Sequence, residues 1–371
     1  MNDTTTPRGK AQPTANLHAL GQSLWLDNIT RNLLDSGTLR RYIEDFAVTG
    51  LTSNPTIFDA AIGKTSDYDA GIRSKAAAGG GGETLFFELA LEDLRRAADL
   101  FLPVFRATGG ADGWVSLEVS PLLANDTAGT LAAAASIHRA ADRPNLYVKI
   151  PGTPAGIGAI EAAIFAGIPV NVTLLFSREQ YVAAAEAYLR GIERRLAAGL
   201  SPRVSSVASV FVSRWDVAVA GMDLPPGLRN NLGLAIGGRI YAAYRRLLDS
   251  RRWRELAGAG AVAQRLLWAS TGTKDPAASP NLYVEGLAAP DTVDTMPEKT
   301  LLAFAATGKP VRAMAPDGGD CESLLAKFAG SGVDIDSLAL KLQVEGAASF
   351  VKSWQELMQV IASKSSALVS P

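Results

Sequence analysis

Short apolar runs with polar residues at alternate positions recur along the chain. They are SLWLD (23–27), VTGLTSN (48–54), WVSLEV (114–119), NLYVKI (145–150), PVNVTLLF (169–176), SVASVFVS (206–213), RLLWAST (265–271) and NLYVEGL (281–287). Their length and their β-branched and aromatic content predict eight strands. Between the runs, apolar residues repeat every three or four positions. After the fifth run, Ser177 and Gln180 form a capping-box pattern, and Val182, Ala185, Leu189, Ile192 and Leu196 make a stripe that Gly199 ends. Asp126 or Thr127 caps an Ala-rich segment through His138, and residues 84–107 predict a long helix ending at Gly109 and Gly110. Further helices are expected at TLLAFAA and over 336–364. A strand–helix alternation repeated in this way predicts an α/β fold, a (β/α)8 TIM barrel with additional helices. An open doubly wound sheet is the competing architecture.

The runs share a second pattern. Residues i and i+2 of a strand point to the same face. Thr52 pairs with Asn54 in this way, Ser116 with Glu118, Tyr147 with Lys149, Asn171 with Thr173, Ser209 with Phe211 and Trp25 with Asp27. Six runs therefore place polar groups near their C-terminal ends. A half-solvated antiparallel sheet would do the same, but the intervening helices would cover the outside of a sheet. The polar faces are then expected to point into the barrel, at the rim where this fold carries its sites.

Composition narrows the chemistry. With 371 residues, 47% hydrophobic and 20% charged, the chain has ample material for a soluble core. The net charge of -1 gives no footprint for nucleic acid. No run of about 18 apolar residues predicts a membrane span. The single cysteine, Cys321, forms no internal disulfide and fits a cytoplasmic protein. The two histidines, His18 and His138, lie far apart, so no metal cluster is expected and acid–base work falls to carboxylates and lysines. Residues 1–19 are expected to form a flexible N-terminal arm, and 20–371 one barrel domain with C-terminal helices. AAAGGGG (76–82) predicts a mobile loop.

Lys149 is the oddity of the set. It stands in an apolar strand just before Pro151, Gly152 and Pro154. A lysine on a wet strand face is the ordinary explanation. On an inner barrel face, desolvation disfavours the ammonium, and a neutral amine attacks carbonyls to form a Schiff base. The iminium so formed is an electron sink that lets a neighbouring C–C bond break. That step needs a base, for which Asp27 and Glu118 are the inward carboxylates; either could instead be a plain ion-pair partner of Lys149. Arg214 follows the sixth run, and STGTKD (270–275) follows the seventh. Arg214 and Lys274 suit a phosphate group at the late loops of a barrel, although Arg214 could equally form a surface salt bridge with Asp216. GKTS (63–66) lacks the upstream glycine of a phosphate loop, where Phe58 stands. GIGAIE (156–161) lacks the last glycine of a dinucleotide fingerprint and is expected to open a helix.

These residues resemble a known family. GLTSNPTIF (50–58), WVSLEVSP (114–121), LYVKIPGT (146–153), NVTLLFS (171–177), ASVFVSRWD (208–216) and YVEGLAAPDTVDTMPEKTL (283–301) together look like transaldolase, over about residues 20–310. The VDTMPEKT stretch is similar to a longer bacterial branch. The resemblance implies a (β/α)8 barrel that needs neither metal nor organic cofactor. It implies transfer of a dihydroxyacetone unit from sedoheptulose 7-phosphate to glyceraldehyde 3-phosphate in the pentose phosphate pathway, giving erythrose 4-phosphate and fructose 6-phosphate. It implies sugar-phosphate substrates, no nucleic-acid or membrane partner, and a monomer or homodimer.

By the same resemblance Lys149 is the Schiff-base lysine, Asp27 the proton-transferring aspartate and Glu118 the assisting glutamate. Thr173 helps hold a catalytic water. Asn54, Asn171, Ser209 and Phe211 contact substrate, with Thr52 and Ser116 in support. Arg214 and Ser270 bind phosphate. Shorter members carry a second phosphate arginine soon after that serine; here the stretch reads STGTKD, so Lys274 is expected in its place. Two rivals remain at this level. A simple aldolase would release dihydroxyacetone to water, and related aldolases tend to carry Gln where Glu118 stands and Tyr where Phe211 stands. A non-catalytic sugar-phosphate-binding barrel would keep Arg214 and Lys274 but would have no use for a lysine and two carboxylates on one inner surface.

Overall fold

In a computed structural model, which describes residues 12–369, eight strands close into a barrel in sequence order. They are β1 (Gln22–Asp27), β2 (Val48–Thr52), β3 (Trp114–Glu118), β4 (Leu146–Pro151), β5 (Val170–Leu175), β6 (Ser206–Phe211), β7 (Gln264–Ala269) and β8 (Thr292–Met296). Every pair is parallel, and β1 closes the ring against β8 with Leu24 beside Asp294. This is the (β/α)8 barrel, not the open sheet: helices cover the outside, and strands wet on neither face must be apolar outward.

Local signals set most element ends. The side chain of Asp126 accepts from the Gly129 amide to cap helix Thr127–Ala141, and Thr153 caps helix Pro154–Ala166, the GIGAIE segment. Ser177 and Gln180 form the full capping box of helix Arg178–Ala197. The long helix spans Gly82–Ala107, and Glu298–Thr307 contains TLLAFAA. The C-terminal helix runs from Ile335 to Val369, longer at both ends than expected. One contiguous buried cluster reaches from Leu17 to Ile361. No helix among the described residues is long and apolar enough to cross a membrane.

Two expectations need correction. NLYVEGL (281–287) is not a strand; Leu282–Gly286 is a short helix, and the eighth strand is Thr292–Met296. Tyr283 and Val284 are both buried, and the Tyr283 hydroxyl is held by Asp216 outside the barrel wall. Only TVDTM has the register to pair with β7 and β1 together. The arm expected over 1–19 is not one over 12–19. Residues 1–11 lie outside the described residues, but Gln12–Ala19 is a helix with Leu17 fully buried. That apolar contact offsets the entropy of ordering the segment.

The inner foot of the barrel is filled before any site is built. Trp25 lies across β2, where a Cβ on Gly50 would stand 2.5 Å from its ring, so only glycine fits. Tyr147 stacks on Trp114 at 4.0 Å between ring centroids. This aromatic floor forces the polar residues two positions further along each strand to the open, C-terminal mouth.

Candidate active site

The mouth opens into a cavity of about 590 Å³. Ten residues singled out from the sequence line it: Asp27, Thr52, Asn54, Lys149, Thr173, Ser209, Phe211, Arg214, Ser270 and Lys274. Glu118, Ser116 and Asn171 are buried among them without lining it. The strand register explains the grouping. Glu118 on β3 is level with Lys149 on β4, which is level with Asn171 on β5.

Lys149 is only 5% exposed. Its Nζ donates to the Ser53 carbonyl at 3.2 Å and forms an ion pair with Glu118 Oε2 at 3.2 Å. Burial raises the Glu118 carboxyl above its ordinary value; the Lys149 ammonium opposes this, and the charge of Asp27 adds to it. Burial likewise raises Asp27, against the pull of Lys149, of a hydrogen bond from Thr52 and of Lys274.

The Thr52 hydroxyl donates to Asp27 Oδ1 at 2.7 Å and lies 2.7 Å from Thr295 Oγ1. A hydroxyl has one proton. Since that of Thr52 goes to the carboxylate, Thr295 is the donor to Thr52, and the three groups form a directed chain. Below them Ser209 donates to Asn171 Oδ1 at 2.7 Å, and Asn171 Nδ2 donates to Ser116 Oγ at 3.1 Å. These bonds fix the Asn171 amide. Thr173 Oγ1 is buried with no hydrogen-bond partner among the described residues. It follows Val172 at a register irregularity of β5 where Leu174 takes a left-handed backbone, φ 60°. Such strain persists only where the surroundings enforce it.

At the other side of the cavity, among the described residues, no carboxylate lies within ion-pair distance of Arg214 or Lys274. The alternative of an Arg214–Asp216 salt bridge fails. Asp216 instead accepts from the Leu232 and Gly233 amides and the Tyr283 hydroxyl, and so caps helix Leu232–Leu248. Arg214 rests over the Phe211 ring, 5.5 Å from its centroid, and burial lowers its pKa. Ser270, in a left-handed backbone of φ 58°, meets Ser213 Oγ at 2.9 Å.

Some positions place differently from the strand reading. Asn54 is past the end of β2, and its side chain caps helix Pro55–Lys64 by accepting from Ile57. Other site residues were missed. Ser53 enters through its carbonyl, which no side-chain pattern reports. Thr295 lies on the strand assigned to a loop. Phe350 arrives from the C-terminal helix, its ring 5.6 Å from Lys149 Nζ.

Fold and constellation together define a (β/α)8-barrel enzyme of the Schiff-base aldolase type. The family model described as Transaldolase/Fructose-6-phosphate aldolase matches residues 24–361. The chain belongs to this family, as a transaldolase-type transferase of sugar-phosphate metabolism. It is 44% identical to a transaldolase of Saccharopolyspora erythraea, over 94% of this chain and 97% of that one. It is 42% identical to a transaldolase of Thiobacillus denitrificans, over 94% of this chain and 99% of that one. It is 39% identical to transaldolase 2 of Nostoc punctiforme, over 93% and 95%.

Proposed function

We propose that Lys149 is the nucleophile of a dihydroxyacetone transfer from sedoheptulose 7-phosphate to glyceraldehyde 3-phosphate. The observation that carries this reading is a buried amine at the barrel mouth with Glu118 at 3.2 Å. The pair is arranged for proton exchange: a carboxylate takes the ammonium proton, and the amine is free to attack a carbonyl. Water leaves as the Schiff base forms. Asp27 then accepts the proton of the C4 hydroxyl as the C3–C4 bond breaks, and the electron pair moves into the iminium to give an enamine on Lys149. The departing aldose phosphate is replaced by the acceptor. The enamine carbon adds to its aldehyde, and Asp27 returns the proton to the new hydroxyl.

Glu118 and the unpartnered Thr173 hydroxyl suit a water that enters and leaves with the imine. Ser209, Asn171 and Asn54 hold the three-carbon unit, with Ser116 fixing the Asn171 amide and Thr52 in support. Arg214, Lys274 and Ser270 take the phosphate, at the distance from Lys149 that the length of the cavity sets. The same reading makes this a cytoplasmic enzyme of the pentose phosphate pathway, working as a monomer or homodimer.

Borohydride added with fructose 6-phosphate is expected to fix the mass of a reduced three-carbon or six-carbon unit on the peptide containing Lys149. Lys149→Ala with full transfer activity would sink the mechanism. Turnover of fructose 6-phosphate without any aldose acceptor would favour a simple aldolase instead.

A further inference from the structure

We propose that Phe350 is a specificity-determining residue, the wall that keeps water from the Lys149 intermediate and so sets transfer to an aldehyde above release to water. This rests on the Schiff-base reading above. Phe350 belongs to the C-terminal helix, far in sequence from every strand of the barrel, yet it lines the same cavity as Lys149 and is 6% exposed. Its ring lies 5.6 Å from Lys149 Nζ and 6.4 Å from the Phe211 ring, which in turn stands 5.3 Å from Phe176. Phe350 and Phe211 thus present two rings to the cavity of the amine, with Phe176 backing them.

The helix is held to the mouth by contacts on both sides of Phe350. Gln343 Nε2 donates to the Gly152 carbonyl at 3.0 Å and to the Leu174 carbonyl at 2.9 Å. These two carbonyls follow Lys149 on β4 and Thr173 on β5, and Leu174 is the residue with the left-handed backbone. Gly346 lets the helix approach closely, since a Cβ there would stand 3.0 Å from Leu174 Cδ2. On the far side Trp354 Nε1 donates to Glu83 at 3.0 Å, and its ring packs edge-on against Phe86. Placement of Phe350 is therefore over-determined, as a wall requires.

The chemistry at stake is a competition. After the C–C bond breaks, the enamine has two fates. In transfer, its carbon attacks the aldehyde, the aldehyde oxygen takes the proton held by Asp27, and water then hydrolyses the new ketose iminium to free the amine. In release, a proton adds to that carbon and restores the iminium. Water then adds to the iminium carbon, the amine leaves, and free dihydroxyacetone departs. Both fates end with water hydrolysing an iminium; they differ in whether the enamine carbon first meets the aldehyde or a proton, and a dry wall beside the intermediate keeps water from delivering that proton and so selects the first.

The test is a series, Phe350→Leu, Phe350→Val and Phe350→Ala, assayed with fructose 6-phosphate and erythrose 4-phosphate. The readout is free dihydroxyacetone formed per transfer event. The ratio is expected to rise as the side chain shrinks, by about tenfold at Ala, with Phe350→Leu closest to the parent. Gln343→Leu, which loosens the helix without touching the cavity, should move the ratio in the same direction. Should Phe350→Ala not fold, the Leu and Val variants read the same trend. A flat ratio across the folded variants overturns the proposal. Borohydride trapping on Lys149 is run on every variant: its absence from the parent enzyme would overturn the Schiff-base reading, whereas trapping with a flat ratio overturns only the role of Phe350.

Discussion

The two ends of this barrel hold similar numbers of polar groups and treat them in opposite ways. At the foot, a cavity of about 530 Å³ is lined by Arg265, Arg203, Asp112 and Ser23. Each is satisfied within the protein. Arg265 donates to Ser23 Oγ and the Thr292 carbonyl at 2.7 Å and to the Ala111 carbonyl at 3.1 Å. Asp112 accepts from Ser23 and from Trp25 Nε1, and Arg203 donates to the Gly109 carbonyl. At the mouth, among the described residues, no carboxylate lies within ion-pair distance of Arg214 or Lys274, Thr173 Oγ1 has no hydrogen-bond partner, and Asp27 and Glu118 are raised by burial. A satisfied network stabilises and does little else. An unsatisfied one costs stability, and a protein keeps it where a ligand completes it. Among the residues that line the two cavities, polarity alone therefore does not mark a site; incomplete polarity does.

Breaking the mouth should remove chemistry. Asp27→Asn is expected to lower kcat by about 10²–10⁴-fold with little change in KM, since a base acting on the bond-breaking step is lost. Steady-state kinetics with both donors measures it, and a KM effect alone would reassign Asp27 to binding. Arg214→Ala is expected to raise KM for phosphorylated donors by about 10–100-fold, the range for one charge-assisted hydrogen-bonding group. An equal loss with a donor lacking phosphate would show that the arginine acts elsewhere.

Breaking the foot should remove stability and spare chemistry. Asp112→Asn keeps one acceptor but turns an NH2 toward the other donor, of Ser23 or Trp25, and should cost about 1.5–3 kcal/mol in urea unfolding. At equal folded fraction its kcat should stay within about twofold of the parent; a larger loss would erase the distinction between the two ends.

The smallest effect tests how the mouth is tuned. Asp27 must be ionised to act as base, so activity falls as pH drops through its folded pKa, which burial holds above the ordinary 3.8. The Thr52 hydrogen bond favours the carboxylate. Thr52→Val should therefore move the acid limb of the kcat profile up by about one pH unit. Thr295→Val should move it in the same direction by less, because Thr295 acts only through Thr52, and Thr295→Ser should restore it. An acid limb that stays in place in Thr52→Val would remove Asp27 as the titrating base.

Alternation of side chains along single strands was enough to bring Asp27, Lys149, Thr173, Ser209 and Phe211 to one cavity, and Glu118 and Asn171 beside it. It could be, because the period of a strand is a local property: i and i+2 share a face whatever the strand packs against. Caps were legible for the same reason, as Ser177 with Gln180 and Asp126 show.

Other features waited for tertiary structure. Whether 281–287 or 292–296 closes the ring depends on register with β1 and β7, and both stretches alternate well enough alone. Arg214 could have met Asp216 two residues away until Asp216 was taken by a helix N-terminus and Tyr283. Thr295 became a donor only when β8 brought it to Thr52, and Phe350 reached Lys149 only because the C-terminal helix crosses the mouth. What the chain determined by itself was which faces are inward and which residues wait there. Which of them touch is decided by long-range packing, because a contact between distant segments leaves no period in either of them.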